Sequence, residues 1–212
     1  MSDQAIISSF IRFSGSPDVC DRYLHENNQC HRNDHERGIP VMRNEKEMEK
    51  LCELAYELGK KYEQTYKGCG QCCVGAVQDA LKLKGDEVFK AATAFAGGIG
   101  LMGDGSCGAY VGGVLLLGDR LGREKSEFVD APGVRFKTYA LARNYHDRFI
   151  EKYGSVTCRD IHMKIFGRPY FLNDKEEFTR FEKAGGHDDK CPGVVGAAAR
   201  WVVEILTREE LI

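Results

Sequence analysis

The chain has 212 residues, with 30 Lys plus Arg against 32 Asp plus Glu and a formal net charge of -2. That balance supplies no basic stripe for nucleic acid or an anionic membrane surface, and no apolar run approaches the roughly 18 residues of a spanning helix. Its length suits one sizeable core with a smaller appendage. Nine cysteines, an odd number, behind an N-terminus without a basic and apolar leader, are expected of a cytoplasmic protein. In that compartment clustered cysteines serve metal binding or redox chemistry more often than disulfides.

Residues 1–43 read as an N-terminal extension. Ile6, Ile7, Phe10, Ile11 and Phe13 fall at the spacing of one short amphipathic helix, suited to docking or to a dimer arm. Cys20, His25, Cys30, His31 and His35 follow in a polar stretch whose spacing fits a solvated connector better than a metal site. Gly38-Ile39-Pro40 marks a boundary. From Asn44 the signals turn helical, with Asn44 and Glu47 spaced as a capping box and Met48, Leu51, Leu54, Ala55, Leu58 and Tyr62 forming an apolar stripe. Cys52, beside that stripe, reads as a small buried hydrophobe.

A second helix is expected over 69–83, with Cys73, Val74, Val77, Ala80 and Leu81 inward and Cys69, Cys72 and Cys73 sharing a face. A helical segment over 86–95 leads into a glycine-rich run, and 107–121 is apolar enough for a buried helix. Phe136, Tyr139, Ala140, Arg143, His146, Phe149 and Ile150 set the register of a long helix over 134–153. Thr157-Cys158-Arg159-Asp160 has capping-box character and opens a short helix that ends near Gly167. A modest helix over 175–183, a break at Gly185-Gly186, and a last helix opened by Cys191-Pro192 complete the chain. No segment alternates with a period of two. The expected fold is all-α, a compact multi-helix bundle over 44–212 with a glycine-rich loop.

Cys69 with Cys72, Cys107, Cys158 and Cys191 thus fall at the starts of four separate helices. A helix N-terminus carries partial positive charge and unpaired N–H groups, which are expected to lower a thiol's pKa. Four converging thiolates repel one another, so the arrangement calls for a cation or cluster between them. The spacing is wider than that of zinc ribbons and compatible with a four-cysteine iron–sulfur site. Gly98-Ile99-Gly100-Leu101-Met102-Gly103 matches a dinucleotide fingerprint, but Ala91-Ala92-Thr93-Ala94-Phe95 before it is a poor strand, so these glycines are expected to bring backbone close to the cysteines.

The ordered set Cys69-x-Gln71, Phe95-Ala96-Gly97-Gly98-Ile99-Gly100, Cys107-Gly108-Ala109-Tyr110-Val111-Gly112, Cys158 after Tyr153-Gly154-Ser155, and Cys191-Pro192 resembles the C_GCAxxG_C_C family of redox-active proteins over about residues 44 to 206. The resemblance implies a helical redox module with four defining cysteines. A related domain occurs in split-Soret cytochrome c, which carries an iron–sulfur centre, although this chain lacks that protein's C-x-x-C-H haem motif. Cys72 and Cys73 crowd the first cysteine position, where the order of preference is Cys69, Cys72, Cys73. Residues 1–43 have no counterpart in the family.

Three functions follow as expectations. An electron-transfer protein would hold an iron–sulfur cluster or other redox metal on Cys69 or Cys72, Cys107, Cys158 and Cys191 and pass electrons to a redox partner protein. A thiol–disulfide oxidoreductase would use Cys69 and Cys72 with no metal. A structural module would crosslink the helices with zinc. Among the histidines, His187, close before Cys191, is best placed to tune the site, and His146 and His162 read as core or surface residues. The apolar extension and glycine-rich helix faces suit a homodimer.

Overall fold

The computed structural model describes residues 45–130 and 132–212, and the fold below is that of the unit Pro40–Ile212. The helix expected over 6–13, the Cys20 to His35 stretch and the Asn44 cap lie outside the described residues. Among the described residues eight α-helices follow in order: α1 Glu45–Thr65, α2 Cys69–Leu81, α3 Glu87–Ala91, α4 Gly108–Leu121, α5 Val134–Tyr153, α6 Cys158–Phe166, α7 Lys175–Lys183 and α8 Cys191–Arg208. Among the described residues there is no strand, and the fold is all-α as the sequence predicts.

The last helix is the central one. Its Val194, Val195, Ala197, Ala198, Ala199, Val202, Val203, Ile205 and Leu206 are buried, nearly all round, the pattern of a helix enclosed by others. It packs on α1, α2, α4 and α5. From α1 the buried residues Cys52, Ala55, Gly59 and Glu63 recur every three or four positions, so they form one stripe. The two backbones cross closely where a Cβ on Gly59 would stand 3.0 Å from Gly196 Cα. From α2, Cys73, Val74, Val77, Ala80 and Leu81 all face inward as expected.

Two registers differ from the sequence reading. Leu54, placed in the α1 stripe, is exposed. On α5 the buried face is Leu141, Tyr145, Phe149 and Tyr153, whereas Phe136 and Tyr139 are 59% and 56% exposed. A spacing of four drifts slowly round a helix, so this stripe follows α4 at one end and α8 at the other. The first turns of α5 dock on the end of α4 through Thr138, whose hydroxyl donates to Leu121 O at 2.6 Å, and Phe136 and Tyr139 point outward, edge-on to each other. Inside, Tyr110 stacks on Tyr145 with centroids 5.5 Å apart, and Phe149 meets Trp201 edge-on at 5.3 Å. That aromatic block packs against the start of α4, which follows Cys107, and against the middle of α8.

Candidate functional site

The chain delivers each cysteine by a sharp turn into a helix. Lys67 and Gly68 take left-handed conformations, φ 63° and 88°, and reverse the chain from α1 into α2, which begins at Cys69. The Cys69 thiol hydrogen-bonds with that of Cys107, the N-cap residue of α4, and lies against the Gly97 N–H. Space here is tight. A Cβ on Gly108 would stand 2.4 Å from Cys69 Sγ and 2.8 Å from the Phe95 carbonyl oxygen, so only glycine fits between them.

The glycine loop fixes Cys158 beside Cys107. Gly97, Gly98, Ile99, Gly100 and Leu101 all have φ between 58° and 73°, a left-handed stretch that costs the β-branched Ile99 most. Beyond it, the Cys107 N–H donates to Val156 O at 2.7 Å, and the Cys158 and Arg159 N–H groups donate to Gly105 O and Gly103 O at 2.9 Å. Ser106 and Thr157 pair as an antiparallel bridge. Gly98 passes so near that a Cβ there would lie 2.7 Å from Cys158 Cβ. The expected Thr157–Asp160 capping box is replaced: the Ser155 hydroxyl donates to Asp160 Oδ2 at 2.9 Å and accepts from the Thr157 N–H at 3.0 Å. Only a 3-10 turn, Thr93–Phe95, precedes the loop, so the dinucleotide fingerprint lacks its strand. Cys191 follows a π-helical turn, Gly186–Lys190, in place of the expected break, a distortion often found at functional sites.

These turns converge on a cavity of about 170 Å³ lined by Cys69, Cys107, Cys191, Glu63, His162 and His187, with Leu101, Ile161, Leu172, Phe178, Phe181, Val194 and Val195 among the apolar walls. Cys158 stands behind His162, whose Nε2 is 3.8 Å from both Cys158 Sγ and Cys191 Sγ. Cys72 turns its thiol to the Lys67 carbonyl at 3.1 Å, and Cys73 is sealed against Tyr145. Of the three cysteines competing for the first position, Cys69 is the one on the cavity. Cys72, the expected dithiol partner of Cys69, does not line the cavity. Among the described residues no three His, Cys, Asp or Glu side chains come close enough together to hold a metal ion.

The thiols are not the stabilised thiolates that helix N-termini suggest. Cys69 is held well above the ordinary thiol range by its hydrogen bond to Cys107 and then by burial. Burial, reinforced by nearby negative groups, does the same to Cys191 and pushes Cys158 up to about 12. Cys72 and Cys73 are raised by burial as well. Desolvation outweighs the helix-end charge here, and at α6 the first N–H groups are already committed to the glycine-loop carbonyls.

Two polar residues that sequence reasoning missed are built into the wall. Glu63 is 2% exposed, its Oε2 lacks a hydrogen-bond partner, and burial raises it to about 7. Its Oε1 lies 3.8 Å from His187 Nε2, while His187 Nδ1 is 2.7 Å from Glu182 Oε1 and Lys67 Nζ is 3.0 Å from the same oxygen. His187, the histidine favoured from sequence, therefore faces carboxylates rather than a cysteine. His162 is 3% exposed, and burial lowers it to about 4. Both residues carried a signal: Cys158 and His162 stand at i and i+4 on one helix face, and Glu63 falls in register with Cys52, Ala55 and Gly59.

No curated protein and no solved structure matches the chain. The family model described as "Putative redox-active protein (C_GCAxxG_C_C)" matches residues 67–205, well over half of the chain. That span takes in Cys69, Cys107, Cys158 and Cys191 together with the whole glycine loop. The chain therefore belongs to the C_GCAxxG_C_C family of redox-active proteins.

Proposed function

We propose that this protein transfers electrons through an iron–sulfur cluster held in the cavity by Cys69, Cys107, Cys158 and Cys191. The observation that carries the reading is that the starts of α2, α4 and α8 bring three cysteines to one cavity, with the Cys158 thiol behind a histidine of its wall, His162. A single ion bound by thiolates needs sulfurs about 2.3 Å from one point, and no such point exists among the described residues. Three cysteines on one cavity, with Cys158 behind its His162 wall, suit a group of several atoms better than a single ion, and the donor chemistry, thiol sulfur, suits iron–sulfur ligation. When bound, the cluster supplies the one-electron couple.

The chain's own contribution is electrostatic. The hydrogen bond to Cys107 and then burial raise Cys69, and burial raises Cys158 and Cys191, so ionisation of these three thiols is coupled to the arrival of cationic iron, and proton release accompanies loading. Apolar walls at Leu101, Leu172, Phe178 and Phe181 exclude water and leave hydrogen bonds and burial to set the potential. Seven free cysteines among the described residues suit a reducing compartment such as the cytoplasm. No described helix is long and apolar enough to cross a membrane. The remaining partner is a redox protein.

A second reading rests on the Cys69–Cys107 contact, which suits a disulfide couple between those two residues. Their environment is poor for a nucleophile, because attack requires thiolate and Cys69 is strongly disfavoured as one. Iron and acid-labile sulfide analysis of anaerobically purified protein separates the two. The cluster reading expects both elements, lost in Cys69→Ser, Cys107→Ser, Cys158→Ser and Cys191→Ser and retained in Cys72→Ser and Cys73→Ser. Metal-free protein that cycles between two thiols and one Cys69–Cys107 disulfide would replace it with the dithiol reading.

A further inference from the structure

We infer that His162 is a positioning residue that sets the reduction potential of the centre by donating its Nε2–H to the sulfurs of Cys158 and Cys191, an inference that rests on the cluster reading above. Three observations on the ring carry it. Nε2 is 3.8 Å from each sulfur, so one donor is shared between the first residues of α6 and α8. Nδ1 is buried without a partner. A buried N–H without an acceptor costs more than a buried lone pair, so the proton belongs on Nε2, facing the sulfurs. The ring is also fixed in place, stacked on Phe181 at 5.4 Å with the Phe166 edge at 5.2 Å. Its aim does not depend on solvent.

An N–H aimed at a ligand sulfur stabilises the state with more negative charge on that sulfur, which is the reduced one. Removing the donor therefore makes reduction harder. His162→Phe keeps an aromatic ring among aromatics and deletes the donor, whereas His162→Gln keeps an N–H of similar reach. Both variants of the full chain, purified anaerobically, are compared with wild type by iron content, visible spectrum and spectroelectrochemical titration. The expected result is iron content close to wild type in both, a clear negative shift of potential in His162→Phe, and a smaller shift in His162→Gln. An unchanged potential in His162→Phe overturns the inference, as does loss of iron from both variants with their helical content intact, which would make His162 a ligand. The ring's nitrogen NMR in the metal-free chain gives a separate readout: the Nε2–H tautomer is expected, and the Nδ1–H tautomer overturns the inference. Wild-type protein without iron and sulfide overturns the cluster reading instead, and is recognised before any variant is made.

Discussion

The two ends of α8 are buried to a similar degree and built from opposite materials. Toward its C-terminus, Val202, Val203, Ile205 and Leu206 are buried in the same apolar core as Leu116, Leu117 and Phe149, and the polar groups there, the Arg148–Glu204 ion pair among them, lie on the helix flank. Its N-terminus starts at Cys191 beside Glu63, His162 and His187, with a carboxylate oxygen and a ring nitrogen left without partners. An apolar seam is stabilised by the same burial that penalises a lone carboxylate.

Substitutions should separate the two ends. The largest effect belongs to the apolar seam, where Phe149→Ala is expected to destabilise the protein by about 3–5 kcal/mol in urea unfolding, as deletion of a fully buried aromatic does. Next is Glu63→Gln, which should stabilise the metal-free protein. The Glu63 carboxyl is raised from 4.5 to about 7 in the folded state, so its penalty is absent below the unfolded pKa, grows as pH rises, and is complete above the folded one. Unfolding midpoints should show a gain of about 3 kcal/mol near pH 8 and none near pH 4. A gain independent of pH would mean that the carboxylate is not the destabilising group.

Gly108→Ala comes third. Its Cβ would meet a backbone oxygen, which cannot swing aside, and a loss of about 1–3 kcal/mol is expected, together with a changed Cys69 environment visible as altered thiol reactivity. The smallest effect is Tyr139→Ser, within about 0.5 kcal/mol, since that ring points outward. A large loss there would restore the register first read from the sequence.

The apolar end was the legible one. On α2 the hydrophobic spacing named Cys73, Val74, Val77, Ala80 and Leu81 correctly, because that helix faces neighbours along its whole length. On α5 the same method failed at the first turns, because Phe136 and Tyr139 face outward and meet each other instead of the core. At the cysteine end, the capping and proline signals placed Cys69, Cys158 and Cys191 at helix starts, and Cys107 proved to be an N-cap. Their thiol chemistry was misread, since a helix terminus is visible in a sequence and desolvation is not. Glu63 stayed hidden because an isolated polar residue in an apolar stripe reads as surface until the packing partner is known, and His162, read as a core or surface residue, showed its place beside Cys158 and Cys191 only in the fold. The left-handed run at Ile99 and Leu101 had no sequence signal beyond its glycines.

The central claim is that the polar end of α8 closes round a redox centre. Visible absorption and electron paramagnetic resonance of the anaerobically purified full chain, before and after chemical reduction, test it most directly. A visible band that bleaches on reduction, with a paramagnetic iron–sulfur signal that disappears in Cys107→Ser, is the predicted result. A colourless protein that shows no signal in either state, with iron and sulfide supplied during purification, would contradict it.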